Sequence, residues 1–131
     1  MVNIIQRRLA MMNNPFICGY MRAILFAETD EEGEPLDNAY TEADFSEDAN
    51  ARIYTECNRF LMVANEHKLL EGIDMEQAGH DFWLTRNGHG SGFWDKENIY
   101  GRKNAEILTI MSDCFGEVAV GIDNLGEINL Y

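Results

Sequence analysis

His80, Asp81, Arg86, Asn87, His89 and Asp95 fall in one short stretch, GHDFWLTRNGHGSGFWD, residues 79–95. The same stretch holds both tryptophans, Trp83 and Trp94, and four glycines. Three kinds of chemistry are open to such a set. His80, His89 and Asp81 are donors that suit a transition metal. A histidine beside an aspartate can do general acid–base work, with His80, Asp81 and His89 as the candidate catalytic groups. Arg86, with backbone N–H groups of a glycine loop, can hold a phosphate or a carboxylate. None of these has the spacing of an established catalytic motif, and no Cys/His zinc spacing is present. No metal and no cofactor is therefore expected. Three roles remain, in descending order. The residues build a turn, with glycines permitting it, Asn87 capping it, the tryptophans packing, and Asp81 or Asp95 pairing with Arg86. Or Trp83, Arg86, Asn87, His89, Trp94 and Asp95 form a binding surface, since tryptophan and arginine anchor protein contacts. An enzymatic site comes last.

The elements that must position this stretch follow from pattern. Residues 79–95 are expected to form a hairpin with Gly88-His89 as a type II′ turn. That register sets Trp83 opposite Trp94 and Leu84 opposite Phe93, and cross-strand aromatic pairing favours it over an Asn87-Gly88 turn. A looser glycine loop is the third option. In that hairpin His89 sits at the tip and His80 well below it, which argues against a shared metal.

Upstream, Asn14-Pro15 starts a helix that is apolar on nearly all sides through residue 28. Such a helix belongs in a core or an interface, so an oligomer through residues 15–28 is one expectation. Residues 1–13 are expected as an extension, and 14–131 as a single domain. Ser46 or Asp48 caps a helix to about His67, with a stripe of Ile53, Cys57, Phe60, Leu61 and Ala64. Arg52, Glu56 and Arg59 are spaced for local ion pairs on its exposed side. Asp74 caps a single turn that ends at Gly79. Residues 101–115 form a last helix, stopped by Gly116. A second hairpin turns at Asn124-Leu125-Gly126. The sum is an α+β fold: an antiparallel sheet of about four strands in two hairpins, with about three helices on one face.

Composition narrows the function classes. The 131 residues carry a formal charge of −13, which repels nucleic acid and anionic membrane. No apolar run spans a bilayer, and the start, MVNIIQRRLAMM, does not read as a signal peptide. Cys18, Cys57 and Cys114 read as reduced core cysteines of a cytosolic protein. The acids are not spread evenly. Between Ala23 and Ala51 there is no Lys or Arg, and ten acids: Glu28, Asp30, Glu31, Glu32, Glu34, Asp37, Glu42, Asp44, Glu47 and Asp48. Gly33 and Pro35 make the first part of this run a surface loop, and Pro35 spoils its likeness to a calcium loop.

Residues 78–95, AGHDFWLTRNGHGSGFWD, resemble the signature of a family of short acidic proteins encoded by phages and prophages. The acidic loop DEEGEPLD and the closing hairpin are similar too, so the resemblance covers roughly residues 16–131. It implies a small accessory protein acting in the cytoplasm of an infected bacterium, and it carries no catalytic activity with it. The expectation is a non-enzymatic protein that binds and inhibits a host nucleic-acid-targeting defence protein, of restriction or CRISPR type. Its carboxylates would stand where phosphates bind. Two alternatives are a small metal- or phosphate-dependent hydrolase or ligand-binding protein using the Gly79–Asp95 loop, and an assembly protein.

Overall fold

The computed structural model describes residues 3–131. Among them the chain is mostly helical, 63% helix, with one two-stranded antiparallel sheet. The helices are α1 (Ile4–Met12), α2 (Pro15–Ala27), α3 (Glu47–Glu66), α4 (Met75–Arg86), α5 (Glu97–Tyr100) and α6 (Arg102–Phe115). The strands are β1 (Val120–Ile122) and β2 (Ile128–Leu130), paired Val120 to Leu130 and Ile122 to Ile128. The α+β expectation with four strands is thereby corrected. The closing hairpin forms, and the hairpin over residues 79–95 does not.

The reason lies in α4. Gly79 does not end a helical turn there. It sits inside a helix that starts at the Asp74 cap and runs on to Arg86. Glycine normally weakens a helix by about 1 kcal/mol, but here it admits the backbone of α2. A Cβ on Gly79 would overlap the Phe16 carbonyl, and one on Gly19 would overlap the Glu76 carbonyl. The helices α2 and α4 therefore cross backbone to backbone, at a distance that only glycine allows. Trp83 and Trp94 cannot pair across strands, because Trp83 is buried in α4 while Trp94 lies in a 3-10 turn, Phe93–Asp95, and is 51% exposed.

Around the crossing, aromatic rings fill the core. Phe60 of α3 stacks on Phe82 at 4.2 Å and lies 5.6 Å from Phe16 and 5.9 Å from Phe93. Phe82 meets Phe115 edge-on at 5.1 Å, and Tyr20 meets Trp83 edge-on at 5.3 Å. Cys57 is buried with them, but Cys18 is only partly buried and Cys114 is exposed, so the cysteines are not uniformly core residues. Ser46 caps α3 through Ala49 N–H and also donates from its hydroxyl to Asn129 at 2.6 Å. With the Ser46 N–H donating to the Ile128 carbonyl at 3.0 Å, this fastens the β hairpin to the start of α3. Residues 4–12, within the expected extension, form α1, capped at its start by an Asn3–Gln6 capping box. Its Arg7 and Arg8 reach Glu47, while Ile4, Ile5, Leu9 and Met12 face outward. Most apolar residues of α2 are buried within the chain, mainly against α4, while Phe26 near its end is 66% exposed.

Gly19→Ala or Gly79→Ala should cost about 3 kcal/mol or more, because the new Cβ meets backbone that cannot give. Gly90→Ala, where a Cβ meets nothing within 4 Å, should change stability by no more than ~0.5 kcal/mol. Urea melts of the three variants would show it; equal midpoints would refute the crossing.

Candidate functional site

The residues of the 79–95 stretch divide into an inner and an outer set. Asp81, Trp83 and Arg86 point inward from α4 and are buried. Asp81 accepts from the Tyr100 hydroxyl at 2.6 Å and from the Gln77 amide at 3.1 Å, and its other oxygen lies 2.8 Å from Lys96 Nζ. Lys96 also donates to Ser91 Oγ at 2.9 Å and to the Gly92 carbonyl at 3.2 Å. Burial, with the Asp81 carboxylate beside it, pushes the Tyr100 hydroxyl well above the usual tyrosine range. This cluster holds the Ser91–Lys96 corner onto α4. Both hydrogen bonds fall on one Asp81 oxygen, the other faces only the Lys96 ammonium, and the residue is fully buried, so no path leads from it to solvent.

Arg86 is committed in the same way. Its guanidinium donates to Glu56 at 2.7 Å, Tyr20 OH at 3.1 Å, the Gly116 carbonyl at 2.8 Å and the Phe115 carbonyl at 2.9 Å. It also lies over the Phe82 and Phe115 rings at 5.5 and 5.6 Å. Burial alone would lower its pKa, yet Tyr20 and Glu56 outweigh burial and hold it above the ordinary arginine value. Neither Asp81 nor Asp95 pairs with Arg86; the acid is Glu56 from α3, which Arg52 also reaches at 3.3 Å. Burial alone would raise the pKa of Asp95, but the Gly92 N–H it accepts from at 3.0 Å and Lys96 at 3.5 Å together outweigh burial and hold the carboxyl below its ordinary value. Asn87 caps α4 rather than a hairpin turn: it donates to the Trp83 carbonyl at 3.1 Å and accepts from Val118 N–H at 2.8 Å. Arg86 and Asn87 thus join the helices to the segment that enters β1.

The outer set is His80, His89 and Trp94. His80 is half-buried on α4, with its ring 5.9 Å from Phe26. Burial lowers its pKa, and the neighbouring Asp81 only partly offsets this. His89 hydrogen-bonds Glu28 at 2.8 Å, and the same Glu28 oxygen accepts from the buried Trp83 indole N–H at 3.0 Å. His80, His89 and Asp81 thus serve separate places. Among the described residues no three His, Cys, Asp or Glu side chains converge as a metal site. A histidine–carboxylate pair can orient an imidazole for proton transfer. Here the shared indole bond makes Glu28 a fastening point.

What Glu28 fastens is the acidic loop. Thr29 bridges to Pro35, and Asp30 N–H donates to the Glu34 carbonyl at 2.9 Å. Asp30 Oδ1 accepts from the Glu32 and Glu34 N–H groups at 2.9 and 3.0 Å, and Gly33 supplies the left-handed residue at φ 82°. Asp123 does the same for Leu125 and Glu127 in the β1–β2 turn, with Gly126 at φ 76°. The shared pattern, Asp30-x-x-Gly33-Glu34 and Asp123-x-x-Gly126-Glu127, is visible in the sequence and marks the acidic loop as a tight turn.

The ten acids of residues 28–48 separate accordingly. Glu28 holds His89 and Trp83, Asp30 closes its turn, and Asp44 accepts from the Thr41 N–H at 2.7 Å. Glu42 pairs with Arg22, and Glu47 with Arg7 and Arg8. Glu31, Glu32, Glu34, Asp37 and Asp48 remain exposed, with no ion pair among the described residues. Among the described residues, the Lys and Arg side chains without an ion pair lie elsewhere: Arg59 and Lys68 toward the far end of α3, and Arg102 and Lys103 at the start of α6. Trp94, separately, stands beside exposed Ile110 on α6, with Glu97, Arg102 and Glu106 around the two.

Arg86→Met should destabilise the fold by about 3 kcal/mol, since it leaves two carbonyls and the Tyr20 hydroxyl without their donor; unchanged melting would contradict the network. His80 gives a pH test. Its folded pKa is lowered, so the unfolded chain takes up the proton first as pH falls below ~6.5. The stability that neutral His80 contributes is present above that pH and is lost toward the lower folded pKa. His80→Gln should flatten this part of the stability–pH curve; equal slopes for both proteins would exclude it. No helix among the described residues is long and apolar enough to cross a membrane. No family model matches the chain, and neither a curated protein nor a solved structure does.

Proposed function

We propose that this protein is a non-enzymatic binding protein that occupies the basic, nucleic-acid-binding surface of another protein and inhibits it. The observation that carries this is the group of exposed, unpaired carboxylates at Glu31, Glu32, Glu34, Asp37 and Asp48, displayed on and beside a hydrogen-bonded turn. Most of the cations in the chain are already paired with acids, so these carboxylates face outward uncompensated. The turn fixes the backbone that carries Glu31, Glu32 and Glu34, so less chain freedom is lost on binding and more of the Coulomb attraction remains as affinity. Their negative field steers a basic partner toward them. The likeness of residues 78–95 to phage and prophage proteins supplies the setting, a bacterial host. The partner class is then its restriction or CRISPR-type defence machinery. Exposed Trp94 is a second contact of the kind that anchors protein interfaces.

The test is capture from the bacterial host at low salt, followed by titration of the partner. Binding should weaken steeply with salt and compete with DNA. The combined variant Glu31→Gln, Glu32→Gln, Glu34→Gln and Asp37→Asn should keep the fold and lose about tenfold or more in affinity, mainly through a slower association rate. Affinity that stays flat with salt, or is unchanged in the neutralised variant, would refute phosphate mimicry.

A further inference from the structure

A cavity of about 330 Å³ lies where α1, α2 and the start of α3 meet the 3-10 turn Glu42–Asp44. Its wall is rich in sulfur: Met11, Met12, Met21 and Cys18, with Ala43 completing the apolar part. Polarizable sulfur makes favourable contacts with aromatic rings, about 0.3–1.5 kcal/mol each, and unbranched methionines adapt to the ring they meet. Met11 and Met21 are buried, whereas Met12 is exposed, so the cavity is walled inside and open at one side.

The two charged groups on the wall, Arg8 and Glu42, are each engaged in an ion pair, Arg8 with Glu47 and Glu42 with Arg22 at 3.0 Å. The Cys18 thiol donates weakly to the Met11 and Met12 carbonyls at 3.6 and 3.7 Å, and burial pushes its pKa up, so it stays uncharged. With one group of each sign on the wall and both already paired, the cavity offers no net counter-charge, which favours a neutral ligand.

One polar group on the wall is different. Asn50 is 7% exposed, and its amide nitrogen donates to the Phe45 carbonyl at 3.4 Å. That bond fixes which end of the carboxamide is nitrogen, because an oxygen facing the carbonyl would be repelled. The Asn50 oxygen accepts no hydrogen bond from any described residue. The oxygen is not sealed from solvent, so a ligand donor can reach it in place of water.

We propose that this cavity binds a neutral aromatic molecule with a single N–H or O–H donor, its ring against the methionines and its donor on the Asn50 oxygen. The volume lies in the range of small-molecule sites, roughly 300–1,000 Å³. This site is separate from the acidic turn and stands whether or not that turn binds a basic protein.

Indole and N-methylindole make the test, since both are neutral and aromatic and only indole has the donor. Indole should bind saturably to the full chain, with shifts in the methyl resonances of Met11, Met12 and Met21. N-methylindole should bind about tenfold more weakly, the worth of one hydrogen bond. Ala43→Phe, at an exposed position on the wall, should fill the space and weaken indole by about tenfold or more. Equal affinity for the two ligands would overturn the proposal, as would no saturable binding or shifts confined to other residues. The ligand comparison needs only the unaltered protein, so it decides even where a substitution disturbs folding.

Discussion

Two helices touch backbone to backbone only where neither carries a side chain, and Gly19 and Gly79 create that place. Most of the molecule depends on it. With α2 and α4 that close, Phe16 and Tyr20 come within ring contact of Phe82, and Tyr20 also reaches Trp83. Phe60 from α3 can then lie against Phe16 and Phe82 at once. Residues 16–20 and 76–79 must fit as one unit, although more than fifty residues of chain separate them.

The close crossing also sets where buried polar groups go. Asp81 and Arg86 extend from α4 into the interior, where an unpaired charge costs several kcal/mol. Each is surrounded instead. Lys96, Tyr100 and Gln77 satisfy Asp81, and Glu56, Tyr20 and two carbonyls satisfy Arg86. Apart from Gln77 of α4 itself, the partners come from α2, α3, the Lys96–Tyr100 corner and the end of α6 at Phe115 and Gly116. An apolar core would have been cheaper to bury. Its directionless contacts would not have fixed the register of α4 against four other parts of the chain.

That arrangement explains what the sequence showed and what it hid. The Asn14-Pro15 helix start, the Ser46 cap, the stripe of Ile53, Cys57, Phe60, Leu61 and Ala64, and the turn at Gly126 are local signals, and each stands in the structure. Residues 79–95 misled for three physical reasons. Gly79 looks like a helix stop when its role is to admit the Phe16–Tyr20 backbone of α2, a partner the local sequence does not name. Asp81, Thr85 and Arg86 are buried polar residues, so they erase the apolar period that would mark α4. The two tryptophans suggest cross-strand partners, yet one is core and the other surface. Of the candidate site residues, Asp81, Trp83, Arg86 and Asn87 hold the fold together. Glu28 was legible only as one acid among ten, and Glu56, Tyr20 and Lys96 gave no local sign of their roles, because each depends on a residue distant in sequence or on the corner that follows α4.

Between the exposed carboxylates near the start of α3 and the unpaired cations toward its far end lies a helix about 30 Å long. The cations at the far end stand among exposed Glu66 and Glu71, whereas the acidic end has no such compensation, so the negative charge is distributed unevenly along the rod. The field of a positively charged surface then exerts a torque as well as a force. The protein turns while it is still separated from that surface by solvent, and it arrives acidic end first. Geometry imposed by the core thus becomes an orientation in solution, and most misdirected collisions are corrected before the two surfaces meet.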